Sequence, residues 1–349
     1  MADKGARRAF IGSFTSAGGR GIVAAEADPH TGALTATSTV DAVSDPSYLA
    51  VRHTRTGPVL YAVSETAPGA VAAFDIAGPR PRPLGAPVPV CGDDPTHLTI
   101  THGHLLTANY GGGSISVLPL AADGTLRPPS SVLRHEGTGP HPERQRDAHA
   151  HQVLADPTGR WVLSVDLGTD SVRICSLDAA AGRLTLHGET SLPPGTGPRH
   201  LAFHPSGRHA YVLGELRPTV TVCRWDAAAG TLDPTGETPL FPDGVPGLVS
   251  PSAPVVSRDG RHLWAAVRGP DIIVVLRLDG TGEEAVVVAS VSCGGRWPRD
   301  LVLDPAGTHL FAANERSGDV TWFDVEGPAG IPHRAGSLPV PAASNIIFV

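Results

Sequence analysis

Residues 141–151 read His-Pro-Glu-Arg-Gln-Arg-Asp-Ala-His-Ala-His and gather three His, two Arg, one Glu and one Asp. The rest of the chain is small, apolar and rich in Gly and Pro. Imidazole exchanges a proton near neutral pH. Guanidinium holds a carboxylate or phosphate through two parallel hydrogen bonds. Such a mixture suits acid–base chemistry on an anionic ligand. His149 and His151, with Asp147, also have a metal-ligand spacing, since residues two apart on a strand share a face. A metal needs a third or fourth ligand, and the nearby acids are only Asp147 and Glu143, so no metal or other cofactor is expected.

Composition narrows the setting. The chain has 349 residues, 41% of them hydrophobic and 17% charged, with 41 Gly and 34 Pro. That balance indicates a folded protein with many tight turns and few long helices. A net charge of -7 supplies no basic field, so nucleic acid and anionic membrane are not expected partners. No apolar run is long enough to span a bilayer, and residues 1–10 lack an apolar leader core. The expectation is a cytoplasmic protein, a monomer or weak homo-oligomer, with a small anionic substrate. Cys91, Cys175, Cys223 and Cys293 form no Cys-x-x-Cys pair and read as buried thiols.

The elements that position residues 141–151 come from a repeat. A β-rich segment, a Pro/Asp-x-Gly turn and a second apolar segment recur every ~45 to 55 residues, the period of four-stranded propeller blades. The first-strand copies are Tyr48-Leu-Ala-Val51, His97-Leu-Thr-Ile100, Gln152-Val-Leu-Ala155, His200-Leu-Ala-Phe203, Ala253-Pro-Val-Val256 and Asp300-Leu-Val-Leu303. The N-terminal side starts on a second-strand copy, Arg8-Ala-Phe-Ile-Gly-Ser13. The chain ends on an orphan first strand, Ser344-Asn-Ile-Ile-Phe-Val349. Pairing the two completes a seventh blade and closes the sheet edge. The expected fold is an all-β, seven-bladed β-propeller over residues 1–349 as one domain.

In a propeller the first strand of each blade lines the channel and the second runs antiparallel to it. Aligned on the turn, the residues entering the first strands are Ser47, Thr96, His151, Arg199, Ser252, Arg299 and Ser344. Those ending the second strands are Phe14, Glu65, Tyr110, Leu167, Glu215, Arg268 and Glu315. One mouth is therefore expected to collect His151, Arg199, Glu215, Arg268 and Arg299. Three arginines anchor an anion. His151 or Glu215 is the general base, and Glu215 between arginines stays ionised, which favours an acceptor role. Because these groups line a wet mouth, substituting them is expected to cost little stability. His149, Glu143, Arg144, Asn109 and Tyr110 are the further substrate-binding candidates. The Gly-rich turn after Asn109 leads into a strand and not a helix, so it is not a phosphate-binding loop. The Pro/Gly-rich insert at 241–248 is expected to overhang the mouth.

Taken together, Pro142-Glu-Arg-Gln145, His149-Ala-His151, Gly197-Pro-Arg-His-Leu-Ala-Phe-His-Pro-Ser-Gly207, Gly214-Glu215 and Ala312-Ala-Asn-Glu-Arg-Ser317 resemble the seven-bladed propeller lactonase family. That family includes propeller-type 6-phosphogluconolactonases and the fungal carboxy-cis,cis-muconate cyclase. The resemblance covers essentially the whole chain. It implies a site of one His, two Arg and one Glu. These fall on His151, Arg199 and Glu215, with Arg268 or Arg299 as the second Arg. It implies no required metal. Many relatives carry Asn-Arg-Gly where this chain has Val267-Arg-Gly269, so a polar contact of that Asn is lost here. Three functions follow as expectations. The first is hydrolysis of a sugar-acid lactone such as 6-phosphogluconolactone. The second is cycloisomerisation of a dicarboxylate, and the third a non-catalytic scaffold, since one fold hosts all of these.

Overall fold

The computed structural model describes residues 7–244, 247–325 and 327–349. The start of the expected leader-free segment and Val245 and Pro246 of the 241–248 insert lie outside them. Seven antiparallel sheets follow one another round a ring. Blade 2 holds Leu49–Thr54, Gly57–Ser64 and Ala70–Asp75, with an outer edge split into Arg82–Pro83 and Val88–Pro89. Blade 4 is Ala150–Ala155, Val162–Asp166, Ser171–Asp178 and Arg183–Ser191. Blades 3, 5, 6 and 7 begin with Pro95–Thr101, Pro198–Phe203, Ser250–Val256 and Pro298–Leu303. Blade 1 closes the ring: Ala343–Phe348 pairs antiparallel with Arg7–Ser13. Among the described residues the one helical turn is the 3-10 segment Thr15–Ala17.

The period-two alternation of side chains explains the layers. Second strands such as His104–Asn109 and His309–Asn314 are buried along their whole length, because a blade packs on each face. Outer strands such as Ala285–Ser292 alternate between cover and solvent. Apolar side chains from neighbouring blades interlock between the sheets. Tyr211, Leu213 and Val220 of blade 5 meet Leu263, Ala265 and Val274 of blade 6. The Pro/Asp-x-Gly turns reverse the chain where only Gly sits easily: Gly159, Gly207 and Gly307 have φ of 74°, 69° and 78°. In two turns an Asp carboxylate caps them, Asp156 accepting from Trp161 N at 2.8 Å and Asp304 from Thr308 N at 2.8 Å. Cys175, Cys223 and Cys293 are buried, but Cys91, in the loop after Val88–Pro89, is exposed.

The inner strands share one irregularity. In blades 1, 3, 4, 5, 6 and 7 their register against the second strand shifts near the start of the inner strand. In blade 4 Ala150 faces Asp166 and Gln152 faces Val165, so His151 is the extra residue. In blade 5 the extra residue is Arg199, and in blade 7 it is Arg299. A β-bulge of this kind bends the strand and re-aims a side chain. In blades 4, 5 and 7 it turns His151, Arg199 and Arg299 toward the mouth.

Candidate active site

A cavity of about 530 Å³ opens at the end of the channel where the inner strands begin. All seven blades or their loops contribute to its wall. His151, Arg199, Glu215, Arg268, Arg299, Arg144 and Tyr110 are brought together on it. So are Phe14, Ser47, Tyr48, Glu65, Thr96, His200, Leu248, Ser250, Trp297, Asp300 and Ser344.

Glu215 is the centre of one arc. Its Oε2 lies 3.0 Å from Arg268 Nη2 and 3.3 Å from Arg199 Nε. Its Oε1 lies 3.0 Å from Arg144 Nη2, which also donates to the Tyr110 hydroxyl at 3.1 Å. Burial alone would raise the Glu215 carboxyl, but Arg268, Arg199, His151 and Arg144 hold it well below the usual carboxylate range. Burial and the neighbouring Arg268 bring Arg199 down to about 9, so it remains cationic at neutral pH. Three guanidinium groups thus face one carboxylate and leave positive charge for a ligand. Arg268 is further fixed by Ser250 O at 3.0 Å and stands over the Trp297 ring at 5.5 Å. Trp297 has φ +66°, a costly conformation for a bulky residue, and its N–H is held by Asp271 Oδ1 at 2.8 Å.

His151 is 6% exposed, and burial and Arg199 push its imidazole well below its ordinary pKa. It is therefore neutral at physiological pH and able to accept a proton. Its Nδ1 has no hydrogen-bond partner among the described residues. Its ring stands edge-on to those of Tyr110 and His200, at 5.5 and 5.3 Å.

The loop 139–148 is pinned by Gln145. Its amide donates to Leu167 O at 2.8 Å and Asp170 Oδ1 at 2.7 Å, and its Oε1 accepts from His141 N at 3.0 Å. Asp170 also accepts from Gly197 N at 2.7 Å, which ties the loop to the Gly-Pro-Arg-His strand. This is how Arg144 reaches Glu215.

Three expected binding residues are not on the wall. Asn109 is fully buried and ties off its own hairpin, donating to Ser114 Oγ at 3.1 Å and Ser116 Oγ at 2.9 Å. Glu143 is exposed on the outside of its turn. His149 precedes the blade 4 strand, so the bulge breaks the two-residue spacing with His151. Its ring stacks under Tyr110 at 4.4 Å and it contacts Tyr110 O at 2.9 Å. Among the described residues no cluster of three His, Cys, Asp or Glu is arranged to hold a metal.

The two-ring alignment also fails in three ring places. Ser252 is fully buried and Ser250 takes its place at the wall, because the blade 6 bulge leaves both Ser252 and Ala253 between the paired Pro251 and Pro254. Leu167 is fully buried. Glu315 turns to Arg299 instead of lining the cavity. Leu248 of the 241–248 insert does reach the wall.

Sequence reasoning missed Tyr48, His200 and Asp300, each one residue past a ring position. In blades 5 and 7 the bulge lets two consecutive residues approach the channel. The signal was present as adjacent titratable pairs, Arg199-His200 and Arg299-Asp300. Below the mouth, Gln152 Oε1 accepts from Leu201 N at 2.7 Å, Asn345 Oδ1 from Leu49 N at 3.1 Å, and Asp300 Oδ2 from Asn345 Nδ2 at 2.7 Å. This deeper layer joins blade to blade.

The sequence matches the family model "Lactonase, 7-bladed beta-propeller" over residues 8–348. The chain belongs to this lactonase family. It is 34% identical over 325 residues to the 6-phosphogluconolactonase of Bacillus subtilis, covering 92% of each chain. It is 27% identical over 331 residues to a 6-phosphogluconolactonase of Formosa agariphila, covering 91% of this chain and 92% of that one. Among solved structures, the periplasmic gluconolactonase of Pseudomonas aeruginosa superposes with a TM-score of 0.91 at 29% identity, covering 99% of both chains. The propeller and its family stand on these matches. The roles of individual residues rest on the geometry above.

Proposed function

We propose that the protein hydrolyses an anionic sugar-acid lactone of the 6-phosphogluconolactone type. The carrying observation is the arc of Arg144, Arg199 and Arg268 around Glu215, with a neutral His151 beside it. The surplus positive charge holds the phosphate or carboxylate and meets the negative charge that develops on the carbonyl oxygen. His151 takes the proton of the attacking water. Glu215 has both carboxylate oxygens taken by guanidinium groups and acts by ordering the three arginines, whereas His151 Nδ1 is unpartnered among the described residues.

The opposite arc is different in kind. It carries Ser47, Glu65, Thr96, Ser344 and Asp300, which suit the hydroxyl groups of a polyol and offer no positive charge to a second carboxylate. That layout favours a lactone with one anionic group over a dicarboxylate. Purified protein is to be assayed with 6-phosphogluconolactone, gluconolactone and a muconate-type diacid. Faster hydrolysis of the phosphorylated lactone than of the neutral one is expected, with no ring closure of the diacid. Ring closure of the diacid without lactone hydrolysis refutes the proposal.

A further inference from the structure

The ring residues of the seven blades divide into two groups. In four blades the ring side chain bonds a backbone carbonyl of the next blade. Ser344 Oγ donates to Ser47 O at 2.9 Å and Thr96 Oγ1 to His151 O at 3.0 Å. Arg199 Nη1 donates to Ser252 O, and Ser252 Oγ to Pro298 O at 2.6 Å. The other three, Ser47, His151 and Arg299, make no such latch among the described residues. Arg299 pairs with Glu315. His151 faces the cavity as the base proposed above. Ser47 gives its hydroxyl to Glu65 Oε2.

Glu65 ends the second strand of blade 2, the place Glu215 holds in blade 5 across the mouth. The two carboxyls are in opposite states. Glu215 is enclosed by three guanidinium groups, whereas Glu65 has no ion-pair partner within salt-bridge distance among the described residues. Its backbone N–H is fixed on Asp45 O at 3.1 Å, so the side chain is set at the cavity wall. Its Oε1 has no hydrogen-bond partner among the described residues. The charged groups that face it are Arg299 and Arg199 from across the cavity and Asp94 from the loop entering blade 3. Asp45 turns its own carboxylate away, to Ser16 N at 2.8 Å.

Building on the lactone reading, we propose that Glu65 is the general acid that protonates the ring oxygen as the lactone opens. His151 takes a proton from water, and the water oxygen bonds to the carbonyl carbon. The carbonyl electron pair moves to oxygen, against the arginine arc. When that pair returns, the bond from the carbonyl carbon to the ring oxygen breaks, and the Glu65 proton goes to the departing oxygen. The product is a hydroxy acid. His151 loses its extra proton to solvent, Glu65 regains one, and the product acid ionises. Burial pushes the Glu65 carboxyl up to about 7, against the opposing pull of Ser47, Arg299 and Arg199, so it carries a proton through the lower part of the neutral range. Ser47 stabilises the carboxylate left behind.

The test is the pH profile of kcat with a sugar lactone that the wild type hydrolyses. Wild-type activity should fall as pH rises through about 7. Glu65→Gln keeps size and polarity but has no acidic proton. Its kcat should drop by about 100-fold and lose that limb of the profile. Ser47→Ala removes a bond that favours the carboxylate, so its limb should move to higher pH. An infrared titration gives a readout independent of turnover: buried Asp300 loses its protonated-carboxyl band near pH 6 in both proteins, and the band lost near pH 7 in the wild type is missing in Glu65→Gln. A Glu65→Gln enzyme with near wild-type kcat and an unchanged profile overturns the assignment while leaving lactone hydrolysis standing. So does a Glu65→Gln spectrum that keeps every protonated-carboxyl band the wild type loses near pH 7. A wild type that opens no sugar lactone overturns the lactone reading itself, and this assignment with it.

Discussion

The same arginines act on Glu215 and His151, and their positive field favours the deprotonated form of each. Arg268 and Arg199 keep the carboxyl ionised against its burial, whereas burial, helped by Arg199, keeps the imidazole neutral. Changing each should therefore separate chemistry from structure. His151→Ala should lower kcat by about 100- to 10,000-fold with little change in unfolding. Glu215→Gln leaves three buried guanidinium groups without their counter-charge. Removing one partner of a buried pair costs about 3–5 kcal/mol, so chemical denaturation should show a loss of that order. The sign with pH is fixed by the lowered carboxyl. Its contribution is present above the ordinary glutamate value of about 4.3 and disappears as pH falls below it. The gap between wild type and Glu215→Gln should shrink on acidification, and a constant gap would show that the pairing does not stabilise the fold. The sequence showed which groups meet at the mouth. It did not show that Glu215, Arg199 and Arg268 are each only 5% exposed, so a larger stability loss is expected at Glu215 than a wet mouth implies.

At the level of the strand, the Pro/Asp-x-Gly turns made the repeat readable, because only a few residues fit those backbone angles. The first strand copy at Asp300-Leu-Val-Leu303 falls inside Pro298–Leu303, and the closing copy from Ser344 falls within a residue of Ala343–Phe348. The bulges were not readable. A bulge adds one residue without a change in composition, and its effect is to place His200 and Asp300 beside the mouth and to take Ser252 away from it. Ser252 is consequently a structural residue. Its hydroxyl bonds Pro298 O at 2.6 Å and Ala266 O at 3.3 Å, while its carbonyl receives Arg199. Ser252→Ala leaves buried acceptors short of a donor and should cost about 1–3 kcal/mol in denaturant unfolding. Its kcat should stay within a few-fold of wild type, because the backbone carbonyl under Arg199 remains. A kcat loss as deep as that of His151→Ala would return Ser252 to the cavity wall.

At the level of the whole ring, the seam between blades 7, 1 and 2 joins the parts of the chain furthest apart in sequence. Ala343–Phe348 supplies blade 1 with its inner strand and buries Ile346 and Ala343 against Phe311 and Val320 of blade 7. The same strand carries two of the polar links that span the seam, Ser344 to Ser47 and Asn345 to both Leu49 and Asp300. Removing residues 343–349 would expose the Arg7–Ser13 edge along its length, an invitation to pairing between molecules. Asn345→Ala is the milder test, since it keeps the strand and removes only the links. It leaves Leu49 N–H unpaired, at about 1–3 kcal/mol, and leaves Asp300 Oδ2 with only the longer bond from Ile346 N at 3.3 Å. Asp300 sharpens the expectation. Burial already raises its carboxyl to about 6, and the Asn345 bond is one of the interactions that holds it down. A raised carboxyl contributes stability below the ordinary aspartate value, and that contribution is lost as pH rises through the folded one. Without Asn345 the folded value climbs further. The Asn345→Ala protein should therefore lose more stability, relative to wild type, above pH about 6 than below it. Thermal unfolding of both proteins on either side of that pH decides the point. An equal loss at both would mean that the seam is held by the apolar packing of Ile346 and its neighbours and not by the Asn345–Asp300 link.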